Sequence, residues 1–484
     1  MAKKSKQEKG VNVKKKDDFS EWYTQVIRKA ELMDYSVVSG CMVIRPYAYE
    51  MWEKIQSFID KKIKTLGVKN AYFPLFIPES LLKKEKEHVE GFNPEVAWVT
   101  KTGNTKLSER LAIRPTSETI MYDSYKKWVR SYNDLPILIN QWCNVVRWEF
   151  KHPMPFFRTR EFLWQEGHTV HATKKQAEKE VLSILDIYTQ VYEDLMAVPM
   201  LKGKKSEKEK FAGADYTLSV ETFFPDGKAI QGATSHFLGQ NFSKAFGIKF
   251  TDKDEKVRFA WQNSWGLTTR SIGVFLAIHG DDKGLIIPPK IAPVQVVIVP
   301  IIFEKTKNEV LKEAKKLKSE LKSFSIKLDE REFYTPGWKF NHWEMKGVPL
   351  RIEIGPKDIE KKQVIVVRRD NSKKIVVKNK DLKKKIKELL DDIQKSLFNN
   401  AKKFLNNNIM EANNFNDFKK GIKNKNIVYA PWCGLKNCEE LIKDKSGGAK
   451  SLNIPLNQKN LKSNNKCIQC NKDALFHAYF AKSY

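Results

Sequence analysis

Residues 146–162 read VRWEFKHPMPFFRTREF. Two arginines, Arg147 and Arg158, lie eleven positions apart in this stretch, with Pro153 and Pro155 between them. Because proline cannot donate a hydrogen bond to an interior strand ladder, the middle of the stretch is predicted to be a loop between two strands. Guanidinium groups bind phosphates through paired hydrogen bonds and stack on aromatic rings. The stretch therefore predicts a β-hairpin suited to ATP.

The composition favours a large protein with a nucleic-acid partner. The chain has 484 residues and a formal net charge of +29. This length allows two to four domains, each with a core of its own. We ascribe part of the excess charge to lysine-rich coding and the rest to a polyanionic partner. No apolar run approaches the roughly 20 residues that a membrane-spanning helix needs, so we expect a cytoplasmic protein.

The first large block predicts an antiparallel sheet with helices on one side. Six apolar side chains fall on one face of a predicted helix: Met51, Trp52, Ile55, Phe58, Ile59 and Ile63. Residues 71–78 are predicted to form a strand, and residues 174–196 a helix that begins with a capping box from Thr173 and Gln176. Short strands separated by turn residues follow without βαβ regularity.

A Pro288-Pro289 pair marks the next boundary. The following residues predict a small α/β domain, with strands in 294–303 and 350–354 and a helix beginning at Asp381. From about Asn399 the chain is rich in Asn and Lys, and four of its six cysteines stand near the end. The predicted blocks are a basic flexible tail over 1–18, a mixed block over 19–288, the small α/β domain over 289–398 and a cysteine-bearing domain over 399–484.

The four late cysteines are candidate metal ligands. Cys433 and Cys438 form one pair, and Cys467 and Cys470 form a second pair. Four thiolates bind Zn²⁺ tetrahedrally and hold otherwise loose strands together. The alternative is four free thiols. We favour a closed structural zinc site in a reducing compartment.

Three motifs in order resemble those of the class II aminoacyl-tRNA synthetases. The helix from about Tyr47 into the strand that ends at Pro74 resembles the first motif, and the hairpin with Arg147 and Arg158 resembles the second. A strand–helix junction that ends in Arg270 resembles the third. The resemblance implies an α/β fold of the α+β kind: an antiparallel-sheet catalytic domain, an α/β anticodon-binding domain and a C-terminal zinc-binding α/β domain.

By this resemblance the motifs bind ATP. Arg147 is expected to hold the α-phosphate and Arg158 the terminal phosphates, while Phe162 and Arg270 enclose the adenine. Arg147 and Arg270 are the predicted catalytic residues. The remaining ATP-binding candidates are Glu149, Thr159, Gln231, Thr234 and Thr268. The chemistry of phosphate activation implies Mg²⁺, for which we assign no protein ligand.

Three further strings resemble the prolyl-tRNA synthetase family. They are RPTSET from Arg114, RTREFLWQEGH from Arg158 and GATSH from Gly232. The resemblance implies that Thr116 and Glu118 hold the imino group of proline and that His236 lies near its carboxylate. Arg147 is expected to serve this substrate as well as ATP. The pyrrolidine slot is expected to be shaped by Trp164, His168 and Phe211.

The small α/β domain carries aromatic, arginine and glutamate side chains in close sequence. Residues 336–344 and 347–353 contain this mixture, which is suited to stacking on unpaired bases and hydrogen bonding with them. An amphipathic helix and strand would give a similar mixture. By the family resemblance, Glu344, Arg351 and Lys357 are expected to contact anticodon bases of tRNA.

The chain ends in Tyr484, as in the archaeal/eukaryotic-like form of the family. That form implies a terminal carboxylate that reaches the catalytic domain and a homodimer that joins proline to tRNA. We expect no bacterial-type editing insertion, because only about a hundred residues separate the second and third motifs. The alternatives are a threonyl- or glycyl-type synthetase of the same subgroup and a catalytically inactive tRNA-binding paralogue. A stand-alone zinc nucleic-acid-binding protein would account for the last block alone.

Overall fold

The computed structural model describes residues 10–88, 95–149, 152–458 and 465–484. Phe150 of the predicted hairpin and residues 1–9 of the predicted tail lie outside these ranges. Within them, no helix combines the length and the apolar character needed to cross a bilayer.

The first 288 residues contain the following helices and strands. The helices are α1 (Phe19–Lys29), α2 (Pro46–Lys64), α3 (Glu79–His88), α4 (Glu118–Trp128), α5 (Lys174–Gln190), α6 (Asn241–Phe246) and α7 (Arg270–His279). The strands are β1 (Met33–Tyr35), β2 (Met42–Ile44), β3 (Lys69–Asn70), β4 (Phe76–Pro78), β5 (Trp98–Thr102), β6 (Thr105–Ile113), β7 (Ile137–Val146), β8 (Glu161–His171), β9 (Leu201–Lys204), β10 (Tyr216–Phe223), β11 (Lys228–Gly239), β12 (Lys249–Thr251), β13 (Val257–Phe259) and β14 (Trp261–Thr268).

Two further blocks follow. The helices are α8 (Lys307–Glu320), α9 (Pro336–Met345), α10 (Pro356–Glu360), α11 (Leu382–Asn407), α12 (Phe415–Lys423) and α13 (Lys436–Lys445). The strands are β15 (Val296–Pro300), β16 (Ile326–Leu328), β17 (Leu350–Ile354), β18 (Gln363–Arg368), β19 (Lys374–Lys378), β20 (Ile409–Glu411), β21 (Ile427–Trp432), β22 (Lys450–Ser451), β23 (Ile454–Pro455) and β24 (Phe476–Ser483).

A large central sheet organises the molecule. Strands β7, β8, β14, β11 and β10 are neighbours in this order, and each pairs antiparallel with the next. Helix α5 packs across one face of these strands. The predicted antiparallel sheet is therefore confirmed, but its helices are not confined to one side, because α4 contacts His168 on the face opposite α5. The rest of that face holds the site described below.

The predicted hairpin and long helix are also confirmed. Strands β7 and β8 pair from Ile137 with Val170 to Val146 with Glu161, and the loop between them carries the two arginines. Helix α5 begins at the predicted capping box, and a π-helical turn extends it to Leu195. Only the end of the predicted strand over residues 71–78 forms, as β4. The residues before β4 include Pro74, which has no N–H to donate to a strand ladder.

Residues 289–398 form a second sheet, whose core also includes Ala197 and Ile286 of the first block. The strand order is β16-β15-β17-β18-β19, and the first three strands are parallel. Buried aliphatic side chains of this sheet, such as Ile298 and Ile352, pack with those of α8 and α11. The predicted strands and helices of the small α/β domain are thus present. Helix α11 continues without a break through residue 398.

The C-terminal block joins the central sheet directly. Strand β24 pairs antiparallel with β21 and parallel with β11, with Lys228 opposite Lys482 and Ala229 opposite Ser483. Strand β23 pairs with β9. The last residues of the chain are therefore part of the same sheet as the hairpin.

We predicted that residues 1–18 form a solvated tail, and this prediction is wrong for Lys15. The Lys15 ammonium donates hydrogen bonds to the carbonyls of Ile278 (3.0 Å) and Gly280 (2.7 Å). A lysine at this position satisfies carbonyls at the C-terminal end of α7 and interacts favourably with the helix dipole. The sequence shows a lysine-rich segment but not which lysine docks, because the partner carbonyls lie more than 260 residues away.

Candidate active site

A cavity of about 280 Å³ opens on the face of the central sheet opposite α5. Side chains from alternate positions of β8, β11 and β14 form its floor, because successive strand residues point to opposite faces. Most predicted site residues line this cavity: Thr116, Glu118, Arg147, Thr159, Phe162, Trp164, His168, Phe211, Gln231, Thr234, His236, Thr268 and Arg270.

The Thr116–Glu118 loop is held on the sheet by a buried carboxylate. Ser117 stands at the N-cap of α4, but its hydroxyl bonds to Glu166 instead of capping the helix. The Ser117 backbone N–H (3.1 Å) and the Gln141 side-chain amide (3.0 Å) donate to the same carboxylate. Thr116 donates to Glu118. This arrangement places the Glu118 carboxylate at the cavity wall.

Glu166 and His168 form a buried ion pair in the cavity. The His168 Nε2 lies 3.0 Å from Glu166 Oε2, and its Nδ1 lies 3.2 Å from the Tyr122 hydroxyl. Burial alone would lower the pKa of His168, but the carboxylates of Glu118 and Glu166 outweigh it and raise that pKa. Our sequence prediction did not select Glu166, although it stands in the quoted string two positions before His168.

His236 is held as a neutral ring. Its two nitrogens lie 2.9 Å from the Thr217 hydroxyl and 3.0 Å from the Thr234 hydroxyl. Burial, followed by the nearby His168, lowers the pKa of His236 to about 3. The ring of Phe211 lies 4.6 Å from that of His236, centroid to centroid. Together these side chains give the cavity a wall with fixed hydrogen-bonding groups and no charge.

Arg147 lies between the loop and the aromatic floor. Its Nε donates to the Pro115 carbonyl (3.0 Å), and its guanidinium carbon lies 5.6 Å from the Phe162 ring centroid and 5.4 Å from that of Trp164. Burial lowers the pKa of Arg147, an effect that Glu149 and Glu118 oppose. A desolvated cation attracts an anion more strongly than an exposed one.

Arg270 begins α7 and faces the same cavity. Its guanidinium nitrogens lie 3.5 Å from the Gln231 carbonyl oxygen and 3.3 Å from that of Phe157. Burial lowers the pKa of Arg270, and the neighbouring Arg147 and Arg158 contribute to the shift. The N-terminal end of a helix also favours anions. Positive charge is therefore concentrated at this end of the cavity.

Two predicted ATP-binding residues lie elsewhere. Arg158 lines an adjoining cavity of about 190 Å³, which shares Arg270 and Gln231 with the first cavity. Glu149 is exposed in the hairpin loop and lines neither cavity. A residue that our prediction missed, Ser264, lines the first cavity with a buried hydroxyl that has no hydrogen-bond partner in the described part of the chain. No motif in the sequence singled it out.

Tyr484 closes the adjoining cavity. Its hydroxyl donates to Asp226 (2.7 Å), its backbone N–H donates to the Ala229 carbonyl (3.1 Å), and its ring lies 5.5 Å from that of Phe157. The Lys228 ammonium lies over the Tyr484 ring, 4.5 Å from its centroid. The chain terminus thus packs against the arginine-lined end of the site.

The predicted anticodon residues lie in the second sheet block, apart from both cavities. Arg351 donates two hydrogen bonds to Glu353 (3.0 and 2.8 Å) and stacks on Phe340. Glu344 pairs with Lys283 at 3.5 Å. The third predicted residue, Lys357, lies in α10, which follows β17, and is exposed.

The four late cysteines come together in space. Their sulfur atoms all lie within 4.8 Å of one another: Cys433, Cys438, Cys467 and Cys470. The Cys438–Cys467 pair is separated by 3.5 Å and the Cys433–Cys470 pair by 3.6 Å. Four converging thiols, three of them buried, could hold a metal ion.

Comparisons with known proteins agree with this architecture. The family model "tRNA synthetase class II core domain (G, H, P, S and T)" matches residues 99–279, "Anticodon binding domain" matches 295–389, and "Prolyl-tRNA synthetase, C-terminal" matches 415–484. The protein therefore has the fold of a class II aminoacyl-tRNA synthetase.

Full-length relatives narrow the assignment. A proline–tRNA ligase of Natranaerobius thermophilus is 52% identical over 97% of this chain and 97% of its own length. A putative proline–tRNA ligase of Saccharomyces cerevisiae is 51% identical over 98% of this chain and 73% of its own. A crystal structure of the Cryptosporidium parvum prolyl-tRNA synthetase, complexed with halofuginone and AMPPNP, matches with a TM-score of 0.95 and 51% identity over 98% of this chain and 100% of that one. The chain belongs to the proline–tRNA ligase family.

Proposed function

We propose that the sheet-face cavity activates L-proline with ATP and then transfers the prolyl group to the 3′ end of tRNA(Pro). The observation that carries this proposal is the polarity of the cavity. One end holds the Glu118 carboxylate and the Glu166–His168 pair, the other end holds Arg270, and Arg147 lies between them. An amino acid with a cationic nitrogen and a phosphate donor are complementary to these two ends.

The amino-acid end suits the cyclic imino acid. Glu118 and Thr116 accept the imino N–H groups of proline, and Trp164, His168 and Phe211 enclose its ring. The neutral His236 lies near the substrate carboxylate and adds no charge there. The unpaired Ser264 hydroxyl supplies a further hydrogen bond to the bound substrate.

The arginine end serves ATP. Arg147 binds the α-phosphate, Arg158 binds the terminal phosphates, and Phe162 and Arg270 enclose the adenine. The supporting contacts come from Glu149, Thr159, Gln231, Thr234 and Thr268. AMPPNP, with which the solved relative is complexed, is an ATP analogue. Mg²⁺, when bound, would neutralise charge on the phosphates, and we assign it no protein ligand.

Two displacements complete the reaction. A proline carboxylate oxygen attacks the α-phosphorus, and pyrophosphate leaves as the bond to the β-phosphate oxygen breaks. A hydroxyl of the terminal tRNA ribose then attacks the activated carbonyl, and AMP leaves. The protein contributes positioning and positive charge where negative charge develops, so no general base is required in the first step. Arg147 and Arg270 are the catalytic residues in this sense.

The remainder of the chain holds the tRNA and supports the site. We propose that Glu344, Arg351 and Lys357 contact anticodon bases. The corresponding domains are a basic tail (1–18) that contacts the catalytic domain through Lys15, a catalytic domain (19–288), an anticodon-binding domain (289–398) and a C-terminal zinc-binding domain (399–484).

We propose that the cysteine cluster binds one structural Zn²⁺. Tetrahedral coordination with Zn–S bonds of about 2.3 Å separates the sulfurs by about 3.8 Å. The Cys438–Cys467 and Cys433–Cys470 separations, 3.5 and 3.6 Å, are close to this value. All four ligands come from the protein, which is typical of a closed structural site. The free thiols required for this role support a cytoplasmic location.

We also propose a homodimer. Several large apolar side chains within residues 35–76, in and around the first motif, are exposed in the single chain, among them Tyr35, Val37, Val43, Tyr72 and Phe76. Exposed apolar side chains of this kind are suited to a protein–protein contact. A second copy of the chain would cover it, and sedimentation of the purified protein tests this.

Amino-acid-dependent exchange of pyrophosphate into ATP tests the central proposal. Proline should support exchange, whereas alanine, cysteine, threonine and glycine should support much less. Arg147→Ala should reduce exchange by at least about 100-fold, since mutation of one preorganised charge-stabilising group has this order of effect. Exchange with threonine or glycine alone would indicate a threonyl- or glycyl-type synthetase. No exchange with any amino acid would indicate an inactive tRNA-binding paralogue.

A further inference from the structure

An aromatic column stands on the surface of the second sheet block. It consists of Tyr334, Trp338 and His342, with Arg331 beside it, and Phe333 precedes Tyr334 in the chain. Phe333 is 100% exposed and Tyr334 is 42% exposed. A phenylalanine with no intramolecular cover, next to a second exposed ring, gives no stability to the folded chain through burial. The column is therefore a candidate for contact with another molecule.

The rings of the column are stacked in parallel. Tyr334 and Trp338 have centroids 3.8 Å apart and planes inclined by 18°, and Trp338 and His342 have centroids 5.1 Å apart with planes inclined by 14°. The guanidinium carbon of Arg331 lies 5.2 Å from the Tyr334 ring and 5.0 Å from the Trp338 ring. This geometry is a stacking surface with a cation at its side.

Buried hydrogen bonds hold the column in place. Arg331 donates two bonds to the Asp329 carboxylate (2.9 and 2.7 Å), which also accepts from Trp343 Nε1 (2.8 Å). The Lys339 ammonium donates to the Asp329 carbonyl (3.1 Å). Asp329, Lys339 and Trp343 are all buried. The stacking surface is therefore preorganised, and a ligand would lose little conformational entropy by ordering it.

Residues 336–344, predicted to contact bases, include side chains that support the surface from beneath as well as side chains that form it. Trp343 and Lys339 lie beneath the surface and support Asp329, so they do not face a ligand. Phe333 and Tyr334, which precede this range and were not selected from the sequence, are the exposed rings.

The column lies at the same edge of the sheet as a proposed anticodon residue. Residues 329–335 follow β16, and Lys357 follows β17. Both strands pair parallel with β15, so their carboxyl ends meet at one edge. In open α/β sheets, ligands bind at the carboxyl ends of the strands. The column and Lys357 can therefore serve one bound molecule.

We infer that Phe333 and Tyr334 form a stacking platform for an unpaired base of the tRNA anticodon loop, distinct from the hydrogen-bonding residues Glu344, Arg351 and Lys357. This inference rests on the proposed function. An RNA loop supplies both things that the surface is suited to: a flat ring for the aromatic face and a phosphate near Arg331. Stacking accepts any base, so the platform contributes affinity and little base discrimination.

Binding of the isolated anticodon stem-loop to the full chain tests the inference. Phe333→Ala should weaken binding by about 10-fold, the usual order for loss of one base–aromatic stack. The weakening should be similar for stem-loops with altered anticodons, whereas Arg351→Ala should alter the ranking of those stem-loops. Phe333→Trp should restore binding. Leu475→Ala, at a residue that is 70% exposed in another block, is the matched control and should change nothing.

An abasic scan identifies the stacked base. Removal of one loop base should weaken binding to the unsubstituted protein and abolish the effect of Phe333→Ala at that position. If Phe333→Ala leaves RNA affinity unchanged, or if no single abasic position removes its effect, the inference is overturned; a surface for a protein partner gives the first of these results. Proline-dependent pyrophosphate exchange, measured in parallel, should be normal in Phe333→Ala. If the unsubstituted protein shows no proline-dependent exchange, that result would instead count against the proposed function.

Discussion

The two blocks that follow residue 288 are attached to the catalytic sheet in different ways. The C-terminal block shares strands with it: β24 pairs with β11, and β23 pairs with β9. Apolar side chains of both parts, such as Phe223 and Leu452, share one core. The block over 289–398 has a separate sheet. Its core includes Ala197 and Ile286 of the catalytic part, and ion pairs such as Arg369 with Asp281 and Lys346 with Glu31 also join the two parts.

Buried polar contacts also join the C-terminal block to the wall of the site. The Lys205 ammonium, next to the site, bonds to the Glu221 carboxylate (3.0 Å) and to the Leu452 carbonyl of the C-terminal block (2.6 Å). Ser206 donates to the buried Glu439 (3.1 Å). The C-terminal block therefore forms part of the wall of the active site, whereas the second sheet block is a docked module. Substitutions that disrupt the C-terminal block should impair amino-acid activation. Substitutions that disrupt the block over 289–398 should impair only the aminoacylation of tRNA.

Loss of the cysteine cluster should have the largest effect. In Cys467→Ser we expect zinc loss, a melting temperature lower by more than about 5 °C, and pyrophosphate exchange reduced at least about 10-fold. The physical reason is that the cluster anchors the loops at one end of β21 and β24, and β24 belongs to the catalytic sheet. Zinc content, thermal unfolding and exchange are measured on the same preparation.

The matched control for this prediction is Cys41→Ser, since Cys41 is a free cysteine outside the cluster. It should retain zinc, stability and exchange. If Cys467→Ser loses zinc and keeps both its melting temperature and its exchange rate, the structural role of the metal is wrong.

Truncation of the terminal tyrosine should have an intermediate effect. Tyr484→Ala removes the ring that packs on Phe157 and the hydrogen bond to Asp226. We expect the KM for ATP in the exchange reaction to rise by about 3- to 10-fold, from the loss of one aromatic pair beside the arginines. Tyr484→Phe keeps the ring and should recover most of this loss. An unchanged KM in Tyr484→Ala would show that the terminus covers the site without supporting it.

Disruption of the docking contact should have the smallest effect on chemistry. Arg369→Met removes two hydrogen bonds to Asp281 (2.8 and 2.5 Å) and one to the Glu344 carbonyl (2.9 Å). We expect proline-dependent exchange to be unchanged and kcat/KM for tRNA to fall about 3-fold, a typical size for coupling between sites. Arg258→Met, which breaks an exposed pair elsewhere, is the control. Equal losses in exchange and aminoacylation would mean that the second block is not a separate module.

Much of the site could be predicted because its signals are local. The hairpin with Arg147 follows from two strand-forming runs around a proline-containing loop, and the helix after Thr173 follows from a capping box. The family strings then select Glu118, His168 and His236 without any knowledge of distance. The role of Glu166 could not be read in this way, because it depends on Ser117 and Gln141, which lie up to 49 residues away.

By itself, the sequence determined the class of enzyme, the proline-type strings, the order of the blocks and the four cysteines. These depend on residue identity, on spacing along the chain and on periodic burial, which are local properties. Tertiary structure alone decided that β24 enters the catalytic sheet, that Lys15 caps α7 and that Phe333 is exposed while Trp343 is buried. Each of these depends on which distant backbone or side-chain groups meet, and pairing over hundreds of residues leaves no periodic signal in the chain.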